Sequence, residues 1–187
     1  MKVKAFPVLI FLFSLNLTGF SQSLIIEIGG ADLRFPEDFR IQGPTMGKPF
    51  PIDTFQTLSG EKIDRDFFIG KTVVLNVWYV GCKGCKQEEP YLKRLTAKFE
   101  ENEEVYFLGI SMSKEVKVRK HFEKNGNFGY ETALMERKEV EEKYGVYTSP
   151  THFIVKDGIL VEKFTMPIAF EELLVWFEKR IGVLASE

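Results

Sequence analysis

The residues best suited to chemistry in this chain are Cys82 and Cys85, its only two cysteines, in the run Cys82-Lys83-Gly84-Cys85. An apolar, β-branched stretch ends just before them and a helical pattern begins at Lys83. A thiol in the first turn of a helix meets unpaired N–H groups and the positive end of the dipole, which favour the thiolate. Lys83 adds a positive charge beside it. The spacing lets the sulfurs meet within one turn, so the pair can close as a disulfide and reopen. A helical start is expected to leave Cys82 more exposed than Cys85, making Cys82 the attacking sulfur. Two other uses exist for such a pair. A zinc site needs two further ligands, and the two histidines, His121 and His152, follow no ligand spacing. A permanent disulfide closing so short a loop adds little stability.

The surrounding pattern supplies the elements to hold this pair. Residues 73–79 form an apolar run like a strand covered on both faces. Residues 83–102 read as a helix, with Glu88, Leu92, Leu95 and Phe99 on one stripe and a kink expected at Pro90. A second buried strand is expected over 105–111, and helices over 114–124 and 136–144, the latter ending at Gly145. Strands 151–155 and 159–165 flank Asp157-Gly158, a strong hairpin signal. A final helix buries Phe170, Leu173, Leu174, Phe177 and Ile181, with acids in its first turn and bases in its last. Residues 52–63 read as a hairpin around Ser59-Gly60. Leu24, Ile26 and Ile28 alternate like a short strand within an irregular stretch over 22–51. The order predicts an α/β fold with a mixed central β-sheet flanked by helices.

Composition narrows the function classes. The chain has 187 residues, of which 44% are hydrophobic and 18 are Phe, so intrinsic disorder is excluded. A formal charge of −2 and the lack of any basic run argue against a nucleic-acid partner and against an anionic membrane surface. Lys2 and Lys4 precede an apolar segment over 5–17, and Gly19-Phe20-Ser21 places small residues where a signal peptidase cuts. Residues 1–21 are therefore expected to be a signal peptide and Gln22 the new N-terminus; the alternative is an uncleaved anchor that tethers the protein to the membrane. Cleavage removes two lysines and no acid, taking the charge from −2 to −4. The expected location is the periplasm or cell envelope, where disulfides persist.

Val74-Leu75-Asn76-Val77-Trp78, then Cys-x-x-Cys, then Glu88 and Pro90, resembles the thioredoxin superfamily, in its extracytoplasmic TlpA/ResA-like branch. Tyr144-Gly145-Val146-Tyr147-Thr148-Ser149-Pro150-Thr151-His152-Phe153 resembles that family's second signature, and Gly47-Lys48-Pro49-Phe50-Pro51 its upstream segment. The resemblance implies a thioredoxin-like fold over 47–187, after an N-terminal extension over 22–46. It implies a redox-active disulfide with Cys82 as nucleophile and Cys85 as resolving cysteine; the thiolate-stabilising charge of Lys83 is read from its place beside Cys82. It also implies a cis bond before Pro150 and substrate contacts at Ser149, Pro150 and Trp78. Asn76 stands where cytoplasmic thioredoxins carry a buried Asp; the resemblance moves the carboxylate to Glu88, with Glu89 as competitor. Gly81 replaces a frequent Trp, and Gly84 a frequent Pro. The implied activity is that of an extracytoplasmic thiol–disulfide oxidoreductase reducing protein disulfides. It implies no cofactor and no metal, with protein thiol and disulfide substrates and an upstream membrane electron donor as partners. A thiol peroxidase is disfavoured, since Pro and Thr are missing ahead of Cys82. A non-catalytic thioredoxin-fold module of an envelope complex is the other alternative.

Overall fold

The computed structural model describes residues 25–28, 31–34 and 43–187, with side chains from residue 43 onward. The expected signal segment and its cleavage point lie outside the described residues. Strands β1 (Ile25–Ile28) and β2 (Ala31–Arg34) form a small antiparallel hairpin, of which the sequence pattern indicated only the first strand. A second two-stranded hairpin joins β3 (Phe55–Gln56) to β4 (Lys62–Ile63).

The body is a five-stranded sheet in the order β7-β6-β5-β8-β9. Its strands are β5 (Thr72–Trp78), β6 (Val105–Ser111), β7 (Glu131–Leu134), β8 (Thr151–Lys156) and β9 (Ile159–Phe164). The first three run parallel, and β8 and β9 join antiparallel. Helices α1 (Lys83–Lys98), α2 (Glu115–Asn125), α3 (Arg137–Tyr144) and α4 (Glu171–Ala185) complete it. Helix α1 runs through Pro90 and stops at Lys98, short of residue 102. Strand β7 carries no apolar run: its four residues bury Thr132 and Ala133 only because they pair alongside β6. At the β8–β9 turn Asp157 and Gly158 both take positive φ, 51° and 76°, the conformation that turn chemistry predicts.

Every residue of β5 is buried, and its alternation divides the core. Val73, Leu75 and Val77 face one apolar cluster with Phe50, Tyr144 and Phe153. Val74 and Trp78 face the other, with Leu92, Leu95, Phe128, Leu173 and Phe177. Asn76 shares the second face by period two, and so does His152, directly opposite it on β8. Each sheet edge is met by a short bridging segment, which shortens the run open to edge-to-edge pairing. Pro49 bridges to Ile159 beside β9, and Thr57 bridges to Ala133 beside β7.

Candidate active site

Cys82 and Cys85 form a disulfide with Cα atoms 5.3 Å apart. Cys82 is the N-cap of α1, and its sulfur accepts from the Cys85 N–H at 3.1 Å. The helix start thus places an orphan backbone donor on the first sulfur, which is what holds a thiolate there once the bond is reduced. On its other side the Cys82 sulfur lies 3.5 Å from the carbonyl oxygen of Ser149. The Ser149–Pro150 peptide bond is cis. The two chain segments meet because Gly84 has no side chain: a Cβ there would stand 2.9 Å from Pro150 Cδ. The Ser149 hydroxyl has no hydrogen-bond partner among the described residues. The cysteines are equally buried, 4% and 5% exposed, so exposure does not single out Cys82 as expected. Helix capping and the contact with Ser149 distinguish it instead.

Behind the disulfide lies a buried polar cluster that the sequence showed only in part. Glu88 is fully buried on α1. Its Oε1 accepts from Asn76 Nδ2 at 3.0 Å, and its Oε2 accepts from the Ile168 N–H at 3.0 Å and meets His152 Nε2 at 3.0 Å. Asn76 Nδ2 also meets His152 Nδ1 at 3.3 Å, and the Tyr130 hydroxyl donates to Asn76 Oδ1 at 3.1 Å. One pattern of donors satisfies every contact. Neutral His152 carries its proton on Nε2 and gives it to Glu88, while its Nδ1 accepts the second amide hydrogen of Asn76. Glu88 is then an acceptor only. Burial first, and then the nearby Glu88 and Glu89 carboxylates, raise the Tyr130 hydroxyl well above the usual phenol value, so it stays a donor.

Of the two candidate carboxylates, Glu88 lies in this cluster, and Glu89 points into a groove where Lys93 holds it at 3.2 Å. Lys83 is exposed at the rim of the same groove, beside Cys82. Trp78 is 1% exposed and packs edge-on against Phe128 at 4.8 Å, so it supports the groove floor from beneath. The sequence pattern points to Glu88 and Asn76 but not to His152, Tyr130 or the Ile168 N–H as members of this cluster. A signal for His152 existed in its place two residues after Pro150, but only the β5–β8 register puts it opposite Asn76. Among the described residues no group of three or more His, Cys, Asp or Glu could hold a metal ion, and no helix is long and apolar enough to cross a membrane.

The AhpC/TSA family model matches residues 46–163. The thiol-disulfide oxidoreductase ResA of Bacillus thuringiensis subsp. konkukian is 30% identical over 135 residues, covering 72% of this chain and 78% of that protein. The thiol:disulfide interchange protein DsbE of Pasteurella multocida is 30% identical over 157 residues, covering 82% and 79%. Among solved structures, the thioredoxin domain of a Bacteroides vulgatus thiol-disulfide oxidoreductase superposes with a TM-score of 0.62 at 25% identity, covering 74% of this chain and 99% of that one. A DsbE-type protein of Chlorobium tepidum shares the fold with a TM-score of 0.66 at 17% identity, covering 75% of this chain and 98% of that one.

Proposed function

Because this chain belongs to the AhpC/TSA family, as a thioredoxin-like protein disulfide oxidoreductase of the TlpA/ResA/DsbE kind, we propose that it works outside the cytoplasm as a reductase of protein disulfides. The observation that carries this reading is the Cys82–Cys85 disulfide capping α1, with the Cys82 sulfur 3.5 Å from the Ser149 carbonyl. In the reduced protein the Cys82 thiolate attacks one sulfur of a substrate disulfide. That bond breaks, Cys82 is joined to the substrate, and the other substrate sulfur leaves as a thiolate and takes up a proton. Cys85 then loses its proton and attacks the Cys82 sulfur. The second substrate thiol leaves, and the Cys82–Cys85 disulfide re-forms with two electrons passed to the substrate. An upstream dithiol donor in the membrane restores the reduced form.

Lys83 and the α1 N-terminus favour the Cys82 thiolate. Ser149 and Pro150 form the surface against which the substrate chain lies, and Trp78 braces the neighbouring floor. Glu88, three residues beyond Cys85 on the same helix face, receives the proton that Cys85 gives up. All the groups facing Glu88 are donors, so taking up the proton leaves one buried contact mismatched, and Glu88 holds that proton only while the step lasts. Residues 1–21 direct export and are removed.

Insulin reduction tests the activity. The reduced protein precipitates insulin chains, Cys82→Ser abolishes this, and Cys85→Ser traps substrate as a mixed disulfide that thiols release. An inert wild-type protein, or trapping at Cys85 with Cys82 replaced, overturns the assignment. Intact mass of the exported protein reads the N-terminus; a mass retaining residues 1–21 identifies the anchored form.

A further inference from the structure

A groove of about 570 Å³ runs from the Cys82–Cys85 disulfide between α1 and α2. Its floor is apolar, made by the buried rings of Trp78 and Phe128. Its rim is basic: Lys83 and Lys86 from α1, and Lys117, Lys120 and Lys124 from α2. All five are exposed, and none of their ammonium groups has a hydrogen bond or ion pair among the described residues. Elsewhere many basic side chains are matched to acids, as Arg94 is with Glu171, Lys98 with Glu178 and Lys138 with Glu142; others, such as Lys62, Lys156 and Lys179, also lack an acid partner, and what sets the groove apart is that five such lysines line one rim. The acid in the groove, Glu89, is already held by Lys93 at 3.2 Å and faces His121 Nε2 at 3.9 Å.

The charges of α2 are sorted by face. Lys117, Lys120 and Lys124 recur at three and four residues and so stand together, whereas Arg119 and Glu123 line a separate cavity beside Leu58. Arg119 there pairs with Glu115 at 2.7 Å. The chain as a whole carries −2, so this patch is a local field and not the overflow of a basic protein. Five unmatched like charges around a half-enclosed apolar trough raise the local potential and draw in an anionic partner. Because the trough ends at the redox-active sulfurs, its occupant is whatever carries the disulfide they reduce.

We propose that this groove binds an acidic polypeptide segment flanking the substrate's disulfide, so that the protein selects cysteines bordered by Asp and Glu. The inference rests on the disulfide-reducing reading above and adds the substrate class. It is tested with three synthetic peptides that share one reporter disulfide and differ only in flanking Glu, Ser or Lys residues. Each is mixed with stoichiometrically reduced full-length protein, which supplies the two electrons, and single-turnover rate constants are recorded. The Glu peptide is expected to react about tenfold faster than the Ser peptide at low salt, with the Lys peptide slowest, and the difference to fall below about twofold near 0.5 M salt.

The combined variant Lys117→Gln, Lys120→Gln, Lys124→Gln should bring the Glu-to-Ser ratio to about two or less. Lys138→Gln on α3, an equal kind of charge change elsewhere, should leave that ratio at its wild-type value. Equal rates for the Glu and Ser peptides, or an unchanged ratio in the triple variant, overturn the inference alone. Oxidised glutathione reduced as fast as the Glu peptide overturns the polypeptide assignment in favour of a small anionic disulfide. If the wild-type protein reduces none of the peptides, the reductase reading fails and this inference fails with it.

Discussion

Glu88→Gln keeps the shape of a fully buried side chain and removes the one acceptor-only group in its cluster. The consequence follows from counting donors. If the Gln oxygen takes the Oε2 place, it still accepts from Ile168 N–H and His152 Nε2, but its NH₂ then faces the Asn76 NH₂ across a contact that was 3.0 Å. Turning Asn76 over relieves that clash and sets its oxygen against the lone pair of His152 Nδ1. Moving the His152 proton to Nδ1 relieves the second clash and opposes Nε2 to the Gln oxygen. Placing the Gln oxygen at Oε1 is worse, because its NH₂ then meets the Ile168 N–H. Every arrangement with a neutral His152 leaves at least one buried pair mismatched, which costs about 1–3 kcal/mol. The protein should lose that stability in urea unfolding. Chemistry changes as well. The Glu88 and Cys85 positions are about 5–6 Å apart on one helix face, where two unit charges interact by roughly 3 kcal/mol in a partly screened site. Removing the negative charge favours the thiolate, so the midpoint of alkylation rate against pH moves to lower pH. Resolution of the mixed disulfide, deprived of its proton acceptor, should slow by about a hundredfold. Unchanged stability together with an unchanged alkylation curve refutes the reasoning, as does a curve that moves in Glu89→Gln and not in Glu88→Gln.

Three further outcomes are expected. Gly84→Ala places a methyl against the rigid rings of Pro150 and Pro167, at 2.9 and 3.6 Å; overpacking should outweigh the better helix propensity, for a loss of about 1 kcal/mol in urea unfolding and slower insulin reduction. Tyr130→Phe removes the donor to Asn76 Oδ1 and should cost about 1 kcal/mol by the same measurement, since one buried hydrogen bond is lost. Burial raises the Glu162 carboxyl above its usual value of 4.5, against the lowering effects of Arg180 and the Lys163 N–H. The native state therefore holds this proton more tightly than the unfolded chain, and stability falls as pH rises from the usual value through the raised one. Glu162→Gln should accordingly be more stable than wild type at pH 7 and no better near pH 4; equal stability at both pH values contradicts the sign.

Local pattern was enough for what local physics controls. The apolar run that became β5, the helix beginning at Lys83, the Asp157-Gly158 turn and the Gly145 helix stop are each written in a few consecutive residues. The cysteine pair was legible for the same reason: the capping N–H that holds Cys82 comes from three residues away. Strand β7 was not legible, because its burial comes from pairing with β6 and not from its own composition. The stripe of Glu88, Leu92, Leu95 and Phe99 placed a carboxylate on an apolar helix face, but not its partners. His152 stands 64 residues away, Ile168 80 residues away, and Tyr130 is 54 residues from Asn76. The antiparallel register of β5 with β8 and the loop before α4 bring them together. The basic groove has the same origin. No basic run exists in the sequence, and five lysines from two helices become one surface only when α1 and α2 pack beside the same strand end. Spacing along a chain fixes which atoms meet within a turn or a strand, whereas a buried hydrogen-bond cluster or a charged rim depends on which faces the sheet brings into contact.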